Sequence, residues 1–371
     1  MALPTLQTIS ECGDYAKTVE PFIPQLIGLP SNLLNNSGGL AQLYVETNPL
    51  VSAFAASVAF SIIFFIVSEI NRNYSQVDRL WSILPNLYVV HLALWARLAG
   101  LPHSRIDLVA VFTSLWSARL TFNYWRKGGY TVGSEDYRWA IVQKYLPRPV
   151  WIIFNITFIS FIQSVLLFSF SCIPAYAILL STQFEPSITT PDVLYFAAEV
   201  LLVVSEFVSD GQMWSMFPEQ FNSFIPPYPV EVANGLLNQA YQTAKHKYLK
   251  DAKVPQGFSR ADLDRGFLTS GLFAYSRHPN FFAEQSIWLV LYQWSCYATN
   301  NVYSWTGIGA GALVLLFQGS TWLTEAITTG KYPEYKEYQK QVGMFIPTSL
   351  GGYKPPKNVA KIAQKETQKQ K

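Results

Sequence analysis

The chain has 371 residues, of which 50% are hydrophobic and 14% are charged, with a formal net charge of +3 at neutral pH. Soluble domains usually carry about 25% charged residues, so this composition disfavours an ordinary soluble enzyme, and the small charge gives no indication of nucleic-acid binding. Three widely separated cysteines make no disulfide framework, and four histidines without ligand spacing predict no metal site.

The first 48 residues lack the basic start and apolar core of a cleavable signal peptide. We predict that residues 1–48 form a lumenal N-terminal segment. The glycosylation sequon Asn35-Asn36-Ser37 agrees weakly with that location, because sequons this short often arise by chance.

Seven apolar stretches follow, most of them close to the roughly 20 residues that a helix needs to cross a bilayer. They cover about 49–70, 80–98, 106–125, 151–180, 192–214, 285–300 and 303–327. The fourth is too long for one straight crossing, and Pro174 is expected to bend or end it. The pattern predicts an all-α membrane domain of about seven transmembrane helices over 49–350, followed by a basic disordered tail over 351–371.

The basic residues predict the orientation of this bundle. With a lumenal amino terminus and a cytosolic carboxyl terminus, 23 of the 27 Lys and Arg residues fall in cytosolic segments. Lys and Arg are enriched in cytoplasmic loops, so we expect this orientation, which suits the endoplasmic reticulum of a eukaryotic cell.

Polar side chains gather in four clusters on the predicted cytosolic side. They are "SQVDRLW", "ARLTFNYWRKGGYTVGSEDYRW", "SEFVSDGQMW" and "SGLFAYSRHPNFFAEQ". Each has a plain structural alternative, such as headgroup anchoring by Arg277 and His278 or an ion-pair network of Arg119 with Glu206 and Asp210.

The fourth cluster predicts a helix start that faces a polar ligand. Pro279 suits the first turn of a helix, where its missing N–H costs nothing. Free backbone N–H groups there, with Arg277 and His278 beside them, form a candidate pocket for phosphate. Asn280 and Glu284 are four residues apart and therefore point along one helix face.

Tyr332, Tyr335 and Tyr338 recur every three residues after the last apolar stretch. A helix with this spacing either belongs to an aromatic belt at the membrane surface or closes over a bound molecule. The chain has no Gly-x-Gly-x-x-Gly turn, P-loop or serine-nucleophile elbow. Any nucleotide is therefore expected to be held by membrane helices.

Several motifs resemble, in the same order, those of the DUF1295 branch of the steroid 5-alpha-reductase-like membrane oxidoreductases. They are "SQVDRLW", "ARLTFNYWR", "EDYRW", "SDGQ", "GLFAYSRHPNFFAEQ" and "YPEYKEYQ" with a later "FIP". The match covers roughly residues 50–350. The resemblance implies a seven-helix bundle whose cytosol-facing cavity binds NADPH. The carboxyl-terminal half also resembles sterol reductases and isoprenylcysteine carboxyl methyltransferases, and the methyltransferases bind S-adenosylmethionine.

By position, the resemblance implies that the cofactor is contacted by Glu206, Asp210, Asn280, Glu284 and Tyr338. The sequence departs from the family pattern at Phe281, where a tyrosine is common. Trp116 and Asp78-Arg79 stand where steroid reductases place the tyrosine and the Gln-Glu pair that bind the ketone. The steroid-type binding pair is therefore absent as such.

We expect reduction of an activated carbon–carbon double bond in a lipophilic substrate, such as a steroid, polyprenal or enoyl lipid, that enters from the bilayer lipids. The cofactor chemistry would be hydride donation by NADPH. Negative charge would build on a substrate oxygen, so a hydrogen-bond donor is needed there. The candidates for that donor are Asp78 in a protonated form, Trp81 and Trp116.

The remaining residues would hold the cofactor. Arg277 and His278 would bind its pyrophosphate, and Arg119 would pair with a phosphate or with Asp210. Tyr335 would face the ligand from the tyrosine-bearing helix. Two other functions stay open: an S-adenosylmethionine-dependent membrane lipid or prenylcysteine methyltransferase, and a non-catalytic lipid-binding membrane protein.

Overall fold

A computed structural model of the chain describes residues 2–35, 39–215, 262, 265–332 and 334–355. These residues form helices and connecting segments, with one isolated bridge, between Ser276 and Gly343, and no strand among them. The prediction of an all-α fold is confirmed for this part of the chain. Asn36 and Ser37 of the sequon and most of the predicted tail lie outside the described residues.

The chain divides into two compact units. The first contains the described residues up to Ser205 together with Glu284–Phe317. The second contains the described residues of 206–283 and of 318–355.

The α-helices of the described residues are α1 (Tyr15–Thr18), α2 (Ile23–Leu34), α3 (Leu40–Glu46), α4 (Pro49–Asn71), α5 (Gln76–Leu80), α6 (Leu84–Leu98), α7 (Ser104–Arg126), α8 (Tyr137–Gln143), α9 (Arg148–Phe154), α10 (Gln163–Ser181), α11 (Thr190–Ser215), α12 (Pro279–Ala298), α13 (Ile308–Lys331) and α14 (Tyr335–Gln341). A π-helix, Asn155–Ile162, joins α9 to α10. Short 3-10 helices form at Ile9–Gly13, Glu20–Phe22, Gly271–Ala274 and Trp305–Gly307.

Each of the seven predicted apolar stretches coincides with a helix: α4, α6, α7, the run from α9 to α10, α11, α12 and α13. Within the described residues, three helical stretches are long and apolar enough to cross a membrane, namely Pro49–Asn71, Arg148–Ser181 and Trp305–Lys331. The helical positions are thus confirmed, and the membrane character is supported by three stretches. A total of seven crossings stays a prediction.

Helix α10 forms the centre of the first unit, where it packs against α4 and α6. Nearly all of its residues are buried, because it is apolar around its whole circumference. The helix continues through Pro174 to Ser181, so the alternative that Pro174 ends it was wrong. Packing on all sides offsets the one backbone hydrogen bond that a proline removes. The irregular part is the π-helix, more than ten residues earlier.

A buried ion pair joins α7 to α11 in the first unit. The Nε of Arg105 lies 3.0 Å from Asp192 Oδ2, and both side chains are fully buried. The Trp294 indole N–H donates to Asp192 Oδ1 at 2.8 Å, and Arg105 Nη1 donates to Ser181 at 2.9 Å. The pair is thus hydrogen bonded on both sides, as a buried charge pair must be to persist.

Candidate functional site

The first two polar clusters meet around Asp78, which lies on α5 in the first unit. The Trp139 indole N–H donates to Asp78 Oδ2 at 3.0 Å, and the Asp136 N–H donates to the Ser75 hydroxyl at 2.9 Å. The Tyr74 N–H donates to Glu135 Oε1 at 2.6 Å. Residues 134–139 therefore hold the start of α5 in place. The "EDYRW" motif is hydrogen bonded directly to residues 74–78.

Electrostatics around Asp78 favour its neutral form. Burial raises the pKa of Asp78 above its ordinary value of 3.8, and the Asp136 carboxylate raises it further. Arg138 and the Trp139 N–H act in the opposite direction. Asp136 itself accepts two side-chain hydrogen bonds from Arg138, at 2.9 and 2.8 Å, which fix its position. This is the setting that a protonated carboxyl donor requires.

Trp81 is partly buried and packs against the core of the first unit. It is the residue after α5 and forms that helix's carboxyl-terminal cap. No hydrogen bond of its indole N–H is formed with the described residues. Of the two tryptophans considered as substrate donors, Trp81 is therefore the one whose N–H is not used by the described protein.

Trp116 and Arg119 of α7 converge on Glu284 of α12, all three within the first unit. The Trp116 indole N–H donates to Glu284 Oε2 at 2.8 Å, and Arg119 Nη2 lies 3.4 Å from the same oxygen. The Trp288 indole N–H donates to Glu284 Oε1 at 2.9 Å. All of these side chains are buried, and the two indole rings pack edge to face at 4.9 Å.

We call Trp116, Arg119, Glu284 and Trp288 the Glu284 cluster. The Trp116 indole N–H already donates to the Glu284 carboxylate. It is therefore not available in this structure to donate to a substrate oxygen, which was its predicted role. Arg119 pairs with Glu284, which was not among its predicted partners. The cluster explains why a buried Glu is tolerated there, because its charge is balanced and both of its oxygens accept hydrogen bonds.

Asp210 of α11 and Asn280 of α12 lie side by side in the second unit. Their closest approach is 3.4 Å, from the Asn280 amide nitrogen to Asp210 Oδ1, although 70 residues separate them in the chain. Asp210 is buried and Asn280 is half-buried. Glu206, one turn before Asp210 on α11, is buried as well.

Two further contacts explain how α11 and the segment before α12 come together. The Leu272 N–H donates to Gln212 Oε1 at 3.1 Å. Gly271 has φ of +61° and packs so closely that an added Cβ would lie 2.6 Å from the Gln212 amide nitrogen. The left-handed backbone favours glycine here, and an added Cβ would also displace the Gln212 amide. Gln212 of the "SDGQ" motif thus contacts Gly271 and Leu272 of the "SGLF" motif.

Arg277 and His278 both bind Glu325, a residue of α13 in the second unit. Arg277 Nε and Nη2 lie 2.6 and 3.0 Å from the two Glu325 oxygens, and His278 Nε2 lies 2.9 Å from Oε1. The Tyr335 hydroxyl and the Gln339 amide also donate to Glu325, at 3.1 and 2.9 Å. We call these five residues the Glu325 hub.

The hub and a backbone bridge use most of the donors that were predicted to hold phosphate. Arg277 Nη1 donates to the carbonyls of Gln339, at 3.2 Å, and Val342. The Arg277 and His278 N–H groups donate to the carbonyls of Gly343 and Met344, at 3.0 Å each. The predicted phosphate pocket relied on free N–H groups at the start of α12, and the N–H groups of the two residues before that helix are occupied by these carbonyls. Local sequence does not show that residues 343–344 return to pair with them.

The tyrosine-bearing helix α14 is short, and its tyrosines point inward. Tyr335 and Tyr338 are buried, and the Tyr338 hydroxyl donates to the carbonyls of Phe273 and, at 3.4 Å, Ser276. Burial raises the pKa of Tyr338 well above its ordinary value, so the phenol stays a donor. These contacts hold the segment before α12 in place, and both hydroxyls are used within the protein.

Sequence reasoning missed Glu325, Trp139 and Trp288. Glu325 carried a signal, because it is a lone carboxylate inside the apolar stretch 303–327, and such residues usually have a bound partner. The two tryptophans carried none, since an indole looks the same in a core as in a hydrogen-bonded cluster. Within the described residues, no group of three or more His, Cys, Asp or Glu side chains fits a metal ion.

The side chains fit one part of NADPH better than the other. The carboxylate of Asp210 and the amide of Asn280 offer an acceptor and a donor of the kind that ribose hydroxyls and a carboxamide require. Arg277 and His278 do not offer free donors to a pyrophosphate, because both side chains bind Glu325.

Sequence comparison relates the chain to a known protein family. The family described as "Protein of unknown function (DUF1295)" matches residues 64–342. The chain is 33% identical over 353 residues, which is 95% of this chain and 94% of the relative, to "Uncharacterized protein C594.04c" of Schizosaccharomyces pombe. No solved structure gives a significant match.

Proposed function

The chain belongs to the DUF1295 family, and on that premise we propose that it is a membrane-embedded reductase that uses NADPH to reduce a carbon–carbon double bond of a lipophilic substrate. The observation that carries the proposal is the Asp210–Asn280 pair. The resemblance to steroid 5-alpha-reductase-like enzymes assigns both residues to the dinucleotide, and they lie 3.4 Å apart in the fold.

In the second unit, Asp210 and Asn280 would contact the cofactor directly, and the Glu325 hub would hold the start of α12 in place. Asp210 accepts hydrogen bonds from ribose or carboxamide groups, and Asn280 supplies the matching amide. Arg277, held by Glu325 on one side and by backbone carbonyls on the other, positions the start of α12. It is a positioning residue in this proposal, since it has a full set of partners inside the protein.

In the first unit, Asp78 is the residue that we assign to proton donation. NADPH, when bound, would supply the hydride for one carbon of the double bond. A proton must then reach the other carbon, or the oxygen conjugated to it, to complete the reduction. Asp78 qualifies because burial and Asp136 raise its pKa, and the Trp139 N–H fixes its orientation.

The finer topology is part of the same proposal. We place the chain in the endoplasmic reticulum membrane with seven crossings, a lumenal amino terminus and a cytosolic carboxyl terminus. The distribution of Lys and Arg supports this orientation, and three stretches meet the length and hydropathy of a crossing.

The test is ligand-dependent stabilisation of the purified full chain in detergent. NADPH should raise the thermal unfolding temperature in a saturable way, since a ligand that binds only the folded state stabilises it by mass action. Asp210→Asn and Asn280→Ala should each weaken the apparent affinity for NADPH about tenfold or more, as expected for a lost charge-assisted hydrogen bond. Glu337→Gln is the matched control, because this carboxylate is exposed and pairs with Lys340 at the surface.

Two outcomes would decide against the proposal. Stabilisation by S-adenosylmethionine and none by NADPH would assign the chain to the methyltransferases. No response to either, with an intact fold by circular dichroism, would favour a lipid-binding protein without a nucleotide. The exchanged variant Asp210→Asn with Asn280→Asp adds a control, because it restores the contact and should recover stability without recovering NADPH affinity.

A further inference from the structure

Helix α2, Ile23–Leu34 in the first unit, exposes a stripe of large apolar side chains that has no part in the proposed function. Ile23, Ile27 and Leu34 are 43%, 75% and 87% exposed. Their spacing places them within about 40° of one another around the helix axis. Contiguous apolar surface of this kind marks a contact with a partner or with a membrane.

The rest of the exposed surface of α2 is polar. Ser31 and Asn32 are exposed, and Asn32 lies about 140° around the axis from Ile27. Leu26 and Leu29, on the third side of the helix, are partly buried. The exposed arc of α2 therefore has an apolar flank and a polar flank, the arrangement of a helix that lies in a membrane interface.

Hydrogen bonds hold α2 at the end of a membrane-compatible helix. The Asn48 N–H donates to Gln25 Oε1 at 2.8 Å, and Gln25 Nε2 donates to the Glu46 carbonyl at 3.1 Å. Asn48 is the N-cap of α4, which is long and apolar enough to cross a membrane. The 23 residues of α4 span about the thickness of the hydrocarbon core. Gln25 is therefore held at the level where hydrocarbon gives way to headgroups.

The start of α4 is covered, and α2 is one of the elements that pack against this helix. No residue of 49–58 is exposed. Further along α4, Ile62, Ile63 and Ile66 are 55%, 50% and 49% exposed, as expected for a face that meets lipid. Near its N-terminal end α4 presents no such face, and the nearby apolar stripe of α2 is the surface available to the lipids there.

We propose that α2 is an interfacial helix whose Ile23, Ile27 and Leu34 side chains insert among the acyl chains of the leaflet at the N-terminal end of α4. The partner is the bilayer surface, because α2 is tied to the cap of a crossing helix. Residues 21–45 contain no Asp, Glu, Lys or Arg. The contact therefore depends on buried apolar area and requires no anionic headgroup. It is independent of NADPH binding and of reduction.

The test measures the depth of two positions of α2 in the full chain reconstituted in phosphatidylcholine vesicles. Ile27→Cys places a bimane fluorophore on the apolar stripe, and the matched control Asn32→Cys places it on the polar flank of the same helix. The wild-type chain is the labelling blank, because Cys12, Cys172 and Cys296 are buried. A phosphatidylcholine with a nitroxide high on its acyl chain quenches from the lipid, and iodide quenches from the water.

The ratio of lipid quenching to iodide quenching should be about fivefold higher or more at position 27 than at position 32, because only the first is inserted. Phosphatidylserine added to the vesicles should leave this ratio unchanged. Equal ratios at the two positions, or insertion that occurs only with phosphatidylserine, would overturn the proposal. A label at position 27 that neither quencher reaches, with Ile27→Cys chains joined in pairs by a bismaleimide, would assign the stripe to a second copy of the chain instead.

Discussion

Removing the Glu325 carboxylate should destabilise the protein strongly, although sequence reasoning gave this residue no role. In Glu325→Ala, Arg277 would lose both carboxylate contacts while remaining enclosed, because its side chain is only 9% exposed. Breaking a buried ion pair by removing one partner costs about 3–5 kcal/mol, since the other charge is left uncompensated. We expect a loss of that size in the free energy of unfolding.

Two companion variants resolve where that free energy comes from. Glu325→Gln keeps one acceptor oxygen, but it leaves the Arg277 charge uncompensated and turns an NH2 group toward other donors, so its cost should approach that of Glu325→Ala. Arg277→Met removes the other charge, and the double variant should then cost less than the sum of the two single ones. A coupling of about 0.5–3 kcal/mol is typical of residues in one network.

The assay is equilibrium unfolding in mixed micelles, followed by tryptophan fluorescence. Glu337→Ala is the control, because its pair with Lys340 is solvent-exposed and should contribute no more than about 0.5 kcal/mol. If Glu325→Ala costs no more than Glu337→Ala, the buried hub does not stabilise the fold, and the reasoning fails. A large loss in Glu325→Ala without coupling to Arg277→Met would trace the effect to the other three donors.

Three further variants test the first unit. Asp78→Asn should flatten the pH dependence of the unfolding free energy. Burial and Asp136 raise the pKa of Asp78 above 3.8, so the folded wild type binds a proton that the unfolded chain releases, and its stability should fall as pH rises from about 4 through the raised pKa. Asp192→Asn should cost about 3 kcal/mol in urea unfolding, because it leaves the buried Arg105 without its nearest charge. Glu199→Met should raise the unfolding temperature or leave it unchanged, because both buried Glu199 oxygens lack partners among the described residues. A marked drop in the unfolding temperature would show that the carboxyl group stabilises the fold.

Helix positions were largely predictable from the sequence. Each apolar stretch became a helix, and Pro279 is the first residue of α12, as the preference of proline for the first turn predicts. The exception was the stretch 151–180. Its irregular part is a π-helix around Asn155, not a break at Pro174. Asn155 donates to Ser68 and Glu69 of α4 at 2.9 Å each, and such contacts between helices are not visible in one local segment.

The candidate site was predictable in its residue types but only partly in its pairings. Asp210 and Asn280, which were predicted to share a ligand, lie 3.4 Å apart, and the ligand itself stays a prediction. Arg277 was expected to be available to phosphate, and instead it is enclosed by Glu325 and by backbone carbonyls. Its partner lies 48 residues away in an apolar stretch, and no local rule connects the two.

The amino-acid sequence by itself determined that the described part of the chain is helical and has membrane-compatible stretches, because hydrophobicity and helix-breaking residues act over a few neighbouring positions. Only the tertiary structure decided which polar groups meet. An apolar helix can rotate about its axis with little change in local preference, so packing against neighbours selects the face that its few polar residues present. That selection pairs Trp116 with Glu284 and Arg277 with Glu325.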